Sequence, residues 1–120
     1  MNSPIQSKIS TIFIPVRQIE TARDWYCDIL GIEASEKIVA GHLYIIFLEG
    51  GSHLVLDSNI FAKRIVDDAP LFHFNTDSVE DAYAFLNDKG VVLTSDIENG
   101  HWFTFKDPDG NTLMVCRPDD

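Results

Sequence analysis

The sequence predicts an α+β fold built from two tandem copies of one βαβββ unit. Three observations carry this. Hydrophobic periodicity runs strand, helix, strands and then starts over after about residue 70. Glycines punctuate both halves at matching places. The chain also aligns with itself. At an offset of 60 residues Ile14 meets Phe74, Ile19 meets Val79, Glu20 meets Glu80, Ala22 meets Ala82 and Trp25 meets Phe85. At 59, for the later strands, His42 meets His101, Gly51 meets Gly110, Leu54 meets Leu113 and Leu56 meets Val115. Self-similarity that keeps both helix phase and turn punctuation marks a duplicated structural unit.

The first module spans about residues 5–57. Ile9 to Val16 alternates, with Ile12, Ile14 and Val16 on one face and Thr11, Phe13 and Pro15 on the other. Ile19, Ala22, Tyr26 and Ile29/Leu30 recur at helical spacing, and Gly31 stands where a left-handed residue ends a helix. Glu33–Ala40, His42–Leu48 and His53–Leu56 then read as a strand meander broken by Gly41 and by Gly50-Gly51. A connector follows at 58–70. Its Ile60, Phe61, Ile65 and Val66 are too apolar for a solvated linker, which predicts that part of it packs, near a subunit interface.

The second module spans about 71–118. Leu71–Thr76 reads as its first strand. Ser78, with Asp81 three residues on, caps a helix whose stripe is Val79, Ala82, Tyr83 and Leu86, and Gly90 closes it. Val91–Ile97, His101–Lys106 and Thr112–Cys116 complete the unit. Between the last two strands, Asp107-Pro108-Asp109-Gly110 supplies turn chemistry: proline presets φ, and glycine accepts φ > 0 where the chain reverses.

That last hairpin, Phe105-Lys106-Asp107-Pro108-Asp109-Gly110-Asn111 followed by Thr112–Cys116, resembles the closing hairpin of the vicinal-oxygen-chelate superfamily. The superfamily holds glyoxalase I, extradiol dioxygenases, fosfomycin-resistance enzymes and bleomycin-resistance proteins. With the duplicated βαβββ unit, the resemblance covers nearly the whole chain. It implies curved sheets forming an open cup with helices outside, and a homodimer with two equivalent clefts. By alternation the cleft should show Thr11, Phe13, Val55, Leu71, His73 and Met114, with His53, Asp57 and Asn75 on the same faces. The facing of Trp102 and Thr104 depends on the hydrogen-bond count of the turn; the resemblance implies that both point inward.

Metal-using members of the superfamily place a ligand on the first and last strand of each module, typically His and Glu. Carried onto this chain, those positions are Thr11, Val55, Leu71 and Met114. Valine and leucine donate nothing, threonine is a poor ligand, and a thioether suits Cu(I) at best. The expectation is therefore no metal and no cofactor. His53 and His73 lie two positions from Val55 and Leu71, so a displaced two-histidine site stands as the alternative to cleft-lining histidines.

Other chemistry is thinly represented. Gly50-Gly51 lacks the lysine and hydroxyl residue of a phosphate loop, and no serine sits in a nucleophile elbow. The alternation puts Cys116 on the face of Met114, where an inert cysteine is expected rather than a nucleophile. Cys27 and Cys116 make no disulfide framework, which suits reduced thiols in the cytoplasm. With 19 acidic against 9 basic residues and a net charge of −10, nucleic acid and anionic membrane are excluded as partners. No stretch approaches the ~18 apolar residues of a membrane span.

An apolar and aromatic cleft with a few polar groups predicts a metal-independent small-molecule binder, similar to bleomycin-resistance proteins that sequester a drug. Its ligand should be aromatic or amphipathic and neutral to cationic, with Trp102 as a stacking face and Asp57 as partner for a positive group. A second reading is a glyoxalase-like lyase, isomerase or dioxygenase. It would use unconventional metal ligands or acid–base chemistry by His53 or His73. A third is a dimeric scaffold with a vestigial cleft.

Overall fold

A computed structural model describes residues 3–64 and 68–118. The chain divides into two compact units, with the boundary between Lys63 and Arg64. Ile65 and Val66 of the expected packed connector lie outside the described residues.

In the first unit β1 (Thr11–Pro15) leads to α1 (Ile19–Leu30), then β2 (Leu43–Phe47) and β3 (His53–Asp57). The sheet order is β1-β3-β2, with β3 parallel to β1 and antiparallel to β2. Ile14, Leu54, Leu56, Tyr44 and Ile46 point to one face and are buried, as are Ile19, Ala22, Tyr26 and Cys27 of the helix. Each large apolar side chain so buried contributes about 1.5–3 kcal/mol. Gly31 ends α1 at φ 66, and Ile32 N–H reaches back to Cys27 O.

The second unit repeats the plan. Its strands are β4 (His73–Asn75), β5 (Val92–Leu93), β6 (Trp102–Lys106) and β7 (Thr112–Cys116), in the order β4-β7-β6-β5. Helix α2 (Val79–Asp88) is capped as expected, the Ser78 hydroxyl accepting from Asp81 N–H at 3.2 Å. Phe103, Phe105, Leu113 and Val115 form its buried sheet face, and Tyr83 of α2 meets Phe103 edge-on at 5.1 Å.

The duplication extends to single hydrogen bonds. Val16 N–H to Asp57 O repeats as Thr76 N–H to Cys116 O, and Ile32 to Cys27 repeats as Val91 to Leu86. The offset has already slipped to 59 at the helix C-termini, earlier than the strands where the alignment first required it.

Two expected strands are corrected. Glu33–Ala40 is a loop with one isolated bridge, Val39 to Leu43. Its Glu33, Ser35, Glu36 and Lys37 are exposed and offer no apolar face to bury, and Ala40 and Gly41 turn the chain left-handed at φ 53 and 75. Val91–Ile97 shrinks to Val92–Leu93 because the Ser95 hydroxyl, not a strand carbonyl, accepts from Thr104 N–H at 3.0 Å. Elsewhere strands are trimmed at their ends. Leu71 stands just before β4, although its N–H still bonds Thr112 O at 3.0 Å.

Candidate functional site

The strand registers settle which side chains share the open face of each sheet, the face away from the buried helix-side residues. In the first unit three rows cross it: Thr11, His53, Phe47; then Phe13, Val55, Ile45; then Pro15, Asp57, Leu43. Thr11, Phe13, His53, Val55 and Asp57 are thus brought together. Ile45 and Phe47 join them, and their alternation with buried Tyr44 and Ile46 was the signal that could have placed them. This face is apolar and open: Phe13 is 59% exposed and Phe47 72%. The Phe47 ring meets His53 edge-on at 4.9 Å. The His53 Nδ1 lies 3.3 Å from Ser10 O. Asp57 is buried, and its Oδ1 accepts Asn59 N–H at 2.9 Å, so one carboxylate oxygen is committed to the turn that leaves β3.

In the second unit the corresponding rows are His73, Met114, Thr104 and then Asn75, Cys116, Trp102. Opposed pairs in a sheet project to the same side, so Trp102 and Thr104 share the face of Met114 while Phe103 and Phe105 fill the core. Leu71 precedes the first of these rows, half exposed. Lys106 ends β6 beside Thr112; its Nζ lies 3.3 Å from the Asp68 carboxylate and 3.4 Å from Gly110 O. Trp102 and Cys116 also line an open hollow of about 410 Å³, together with Asn99, His101, Arg117 and Pro118.

Beneath this face the closing turn is held by a buried carboxylate. Asp107 Oδ1 accepts from Asp109 N–H at 2.9 Å and from Asn111 N–H at 2.8 Å, while Oδ2 accepts from the Asn111 amide at 2.8 Å. Three bonds to one carboxyl group fix the hairpin that carries Trp102, Thr104 and Met114.

The donor set does not fit a divalent metal. Of the four positions where metal-using relatives place ligands, Val55 and Leu71 carry hydrocarbon only. No three His, Cys, Asp or Glu side chains gather as a metal cluster among the described residues. His53 and His73 belong to different units, and their row neighbours are Thr11 and Phe47 for the one, Met114 and Thr104 for the other. None of these is an imidazole or carboxylate partner.

Comparison with known proteins bears on what such faces do. Residues 8–115 match the family model described as the glyoxalase/bleomycin resistance protein/dioxygenase superfamily. Comparison with curated proteins found no match. Among solved structures, the antibiotic binding protein TnmS3 from Streptomyces sp. CB03234 is 25% identical, with a TM-score of 0.76 over 98% of this chain and 100% of that one. A glyoxalase/bleomycin resistance protein from the same source is also 25% identical, with a TM-score of 0.69 over 92% of this chain and 100% of that one. Lactoylglutathione lyase from Agrobacterium tumefaciens shares the fold at 21% identity, with a TM-score of 0.71 over 96% of each chain.

Proposed function

The chain belongs to the glyoxalase/bleomycin resistance protein/dioxygenase superfamily, and from that premise we propose that it is a metal-independent binder of small molecules, suited to sequestering a drug. The observation that carries this is the open face of the first sheet. Phe13, Ile45 and Phe47 stand exposed around Val55 where a solvated sheet would show polar residues. Covering about 200 Å² of such surface with an apolar ligand gains about 5 kcal/mol before the cost of association. The antibiotic-binding description of TnmS3 supports the same reading.

Chemistry that needs a Lewis acid finds no fitting donor set at the expected positions, which favours binding over metal-dependent lyase or dioxygenase chemistry. The ligand is aromatic or amphipathic and neutral to cationic. Trp102 offers its rings a stacking face, and the acidic chain repels phosphates and phosphonates. The ligand-binding residues are Thr11, Phe13, His53, Val55, Asp57, Leu71, His73, Asn75, Trp102, Thr104 and Met114. The protein acts as a homodimer, with further apolar surface covered by the second copy. Its free thiols Cys27 and Cys116 suit the cytoplasm.

A thermal-shift panel of cationic aromatics, neutral aromatics and small phosphonates tests the proposal, repeated with Trp102→Ala and Asp57→Asn. Aromatic compounds should raise the melting temperature, and Trp102→Ala should abolish most of the shift. Stabilisation by phosphonates alone, or binding untouched by both substitutions, would overturn it.

A further inference from the structure

The two sheets carry the same rows of side chains with different chemistry, and the second sheet's version names the kind of ligand. Where the first unit has Phe13, Ile45 and Phe47, the second has His73, Thr104 and Lys106; where the first has Asp57, the second has Cys116. In a chain with 19 acidic residues, none of the open-face strand positions of the second sheet is a carboxylate. Asp68 reaches Lys106 from the loop and offsets its charge.

Two donors on this face lack a protein acceptor among the described residues. The Thr104 hydroxyl oxygen accepts from Thr94 Oγ1 at 2.7 Å, which leaves the Thr104 proton to be donated elsewhere. The indole N–H of Trp102, a residue that lines the hollow together with Cys116, is the second. Two residues apart on one strand, these side chains stand about 7 Å from each other, the length of a two-ring aromatic system.

We infer that the second sheet selects uncharged aromatic molecules bearing a carbonyl-type oxygen, the rings lying against Trp102 and Cys116 and the oxygen accepting from Thr104. Thr94 is a positioning residue: by donating to Thr104 it orients the hydroxyl so that its proton faces outward. An ammonium group finds no carboxylate on this sheet face. A carboxylate is opposed by the net charge of −10 but favoured by Arg117, which lines the same hollow, so the carboxylate probe is the sharper of the two charge controls. The inference rests on the small-molecule reading above and narrows it to one class.

A matched set of probes tests it: naphthalene-2-carboxamide, 2-naphthylmethylammonium and 2-naphthoate, titrated to millimolar concentration into the full chain. Two-dimensional amide NMR reports both binding and the integrity of the fold. The carboxamide should bind at least 10-fold more tightly than either charged probe. Thr104→Val, which keeps the branched shape, should weaken the carboxamide about 5-fold and leave the ammonium unchanged, and Thr94→Val should cause a smaller loss of the same kind. If all three probes bind alike, if a charged probe binds best, or if Thr104→Val changes none or all equally, the inference is overturned while small-molecule binding stands. If no probe binds, the small-molecule reading itself falls, and the inference with it.

Discussion

Leu48–Ser52 and Asp107–Asn111 close the same hairpin in the two units by different means. Both turns carry the same pair of backbone bonds: Leu48 N–H to Ser52 O and Gly51 N–H to Leu48 O in one, Asp107 N–H to Asn111 O and Gly110 N–H to Asp107 O in the other. The first relies on Gly50 and Gly51, at φ 86 and 92. The second needs one such glycine, Gly110, and adds the three bonds of the Asp107 carboxylate. A second turn type is repeated almost unchanged. Ala40-Gly41 and Asn99-Gly100 are both left-handed, and the next residue, His42 or His101, sets its ring Nδ1 near the carbonyl at 3.1 or 2.9 Å. Duplication preserved the backbone, while side chains were free to diverge wherever the backbone did not depend on them. The open faces diverged most, one apolar and the other rich in donors.

The largest effect expected is in the shared core. Phe103→Ala removes a fully buried ring that packs on Tyr83 and should cost about 3–5 kcal/mol in urea unfolding. Next comes the contrast between the turns. Asp107→Ala leaves two backbone N–H groups and an amide without their acceptor and should cost about 2–4 kcal/mol, whereas Ser52→Ala in the other turn should cost under about 0.5 kcal/mol. Equal losses at the two sites would show that the carboxylate adds nothing to the hairpin.

Much of this fold is legible in the amino-acid sequence. Both helices, the Ser78 cap, β1, β3 and β7 follow from clean periodicity bounded by glycine or a cap. The loop at Glu33–Ala40 and the shortening of Val91–Ile97 to Val92–Leu93 do not. There the outcome turns on left-handed backbone at Ala40 and Asn99, a conformation most side chains disfavour, and on the Ser95 hydroxyl capturing Thr104 N–H. Alternation alone leaves the facing of Trp102 undecided, and the register with Cys116 decides it. On the candidate site, periodicity places Thr11, Phe13, Val55, His73 and Met114 on open faces. It does not reveal that Asp57 is tied to Asn59, because an Asx turn shows only once the chain bends.

Smaller effects sharpen the comparison further. Gly41→Ala and Gly100→Ala should each cost about 1–2 kcal/mol, and by similar amounts, since they hold φ at +75 and +67 with open space where a Cβ would go. A difference larger than about 1 kcal/mol between them would argue that the two turns are not equivalent. Phe47→Ser should leave stability within about 0.5 kcal/mol, its ring being mostly exposed, yet weaken aromatic ligands measurably by thermal shift. A loss of stability without loss of binding would assign that face to structure instead.

The central claim is that this chain binds an organic molecule without a divalent metal, and native mass spectrometry of gently purified protein, with elemental analysis of the same sample, tests it most directly. The account predicts a dimer mass, well under one divalent metal per chain, and an organic adduct released when Trp102 is replaced by alanine. Stoichiometric zinc, nickel, iron or manganese, removed by chelator with loss of stability, would contradict it.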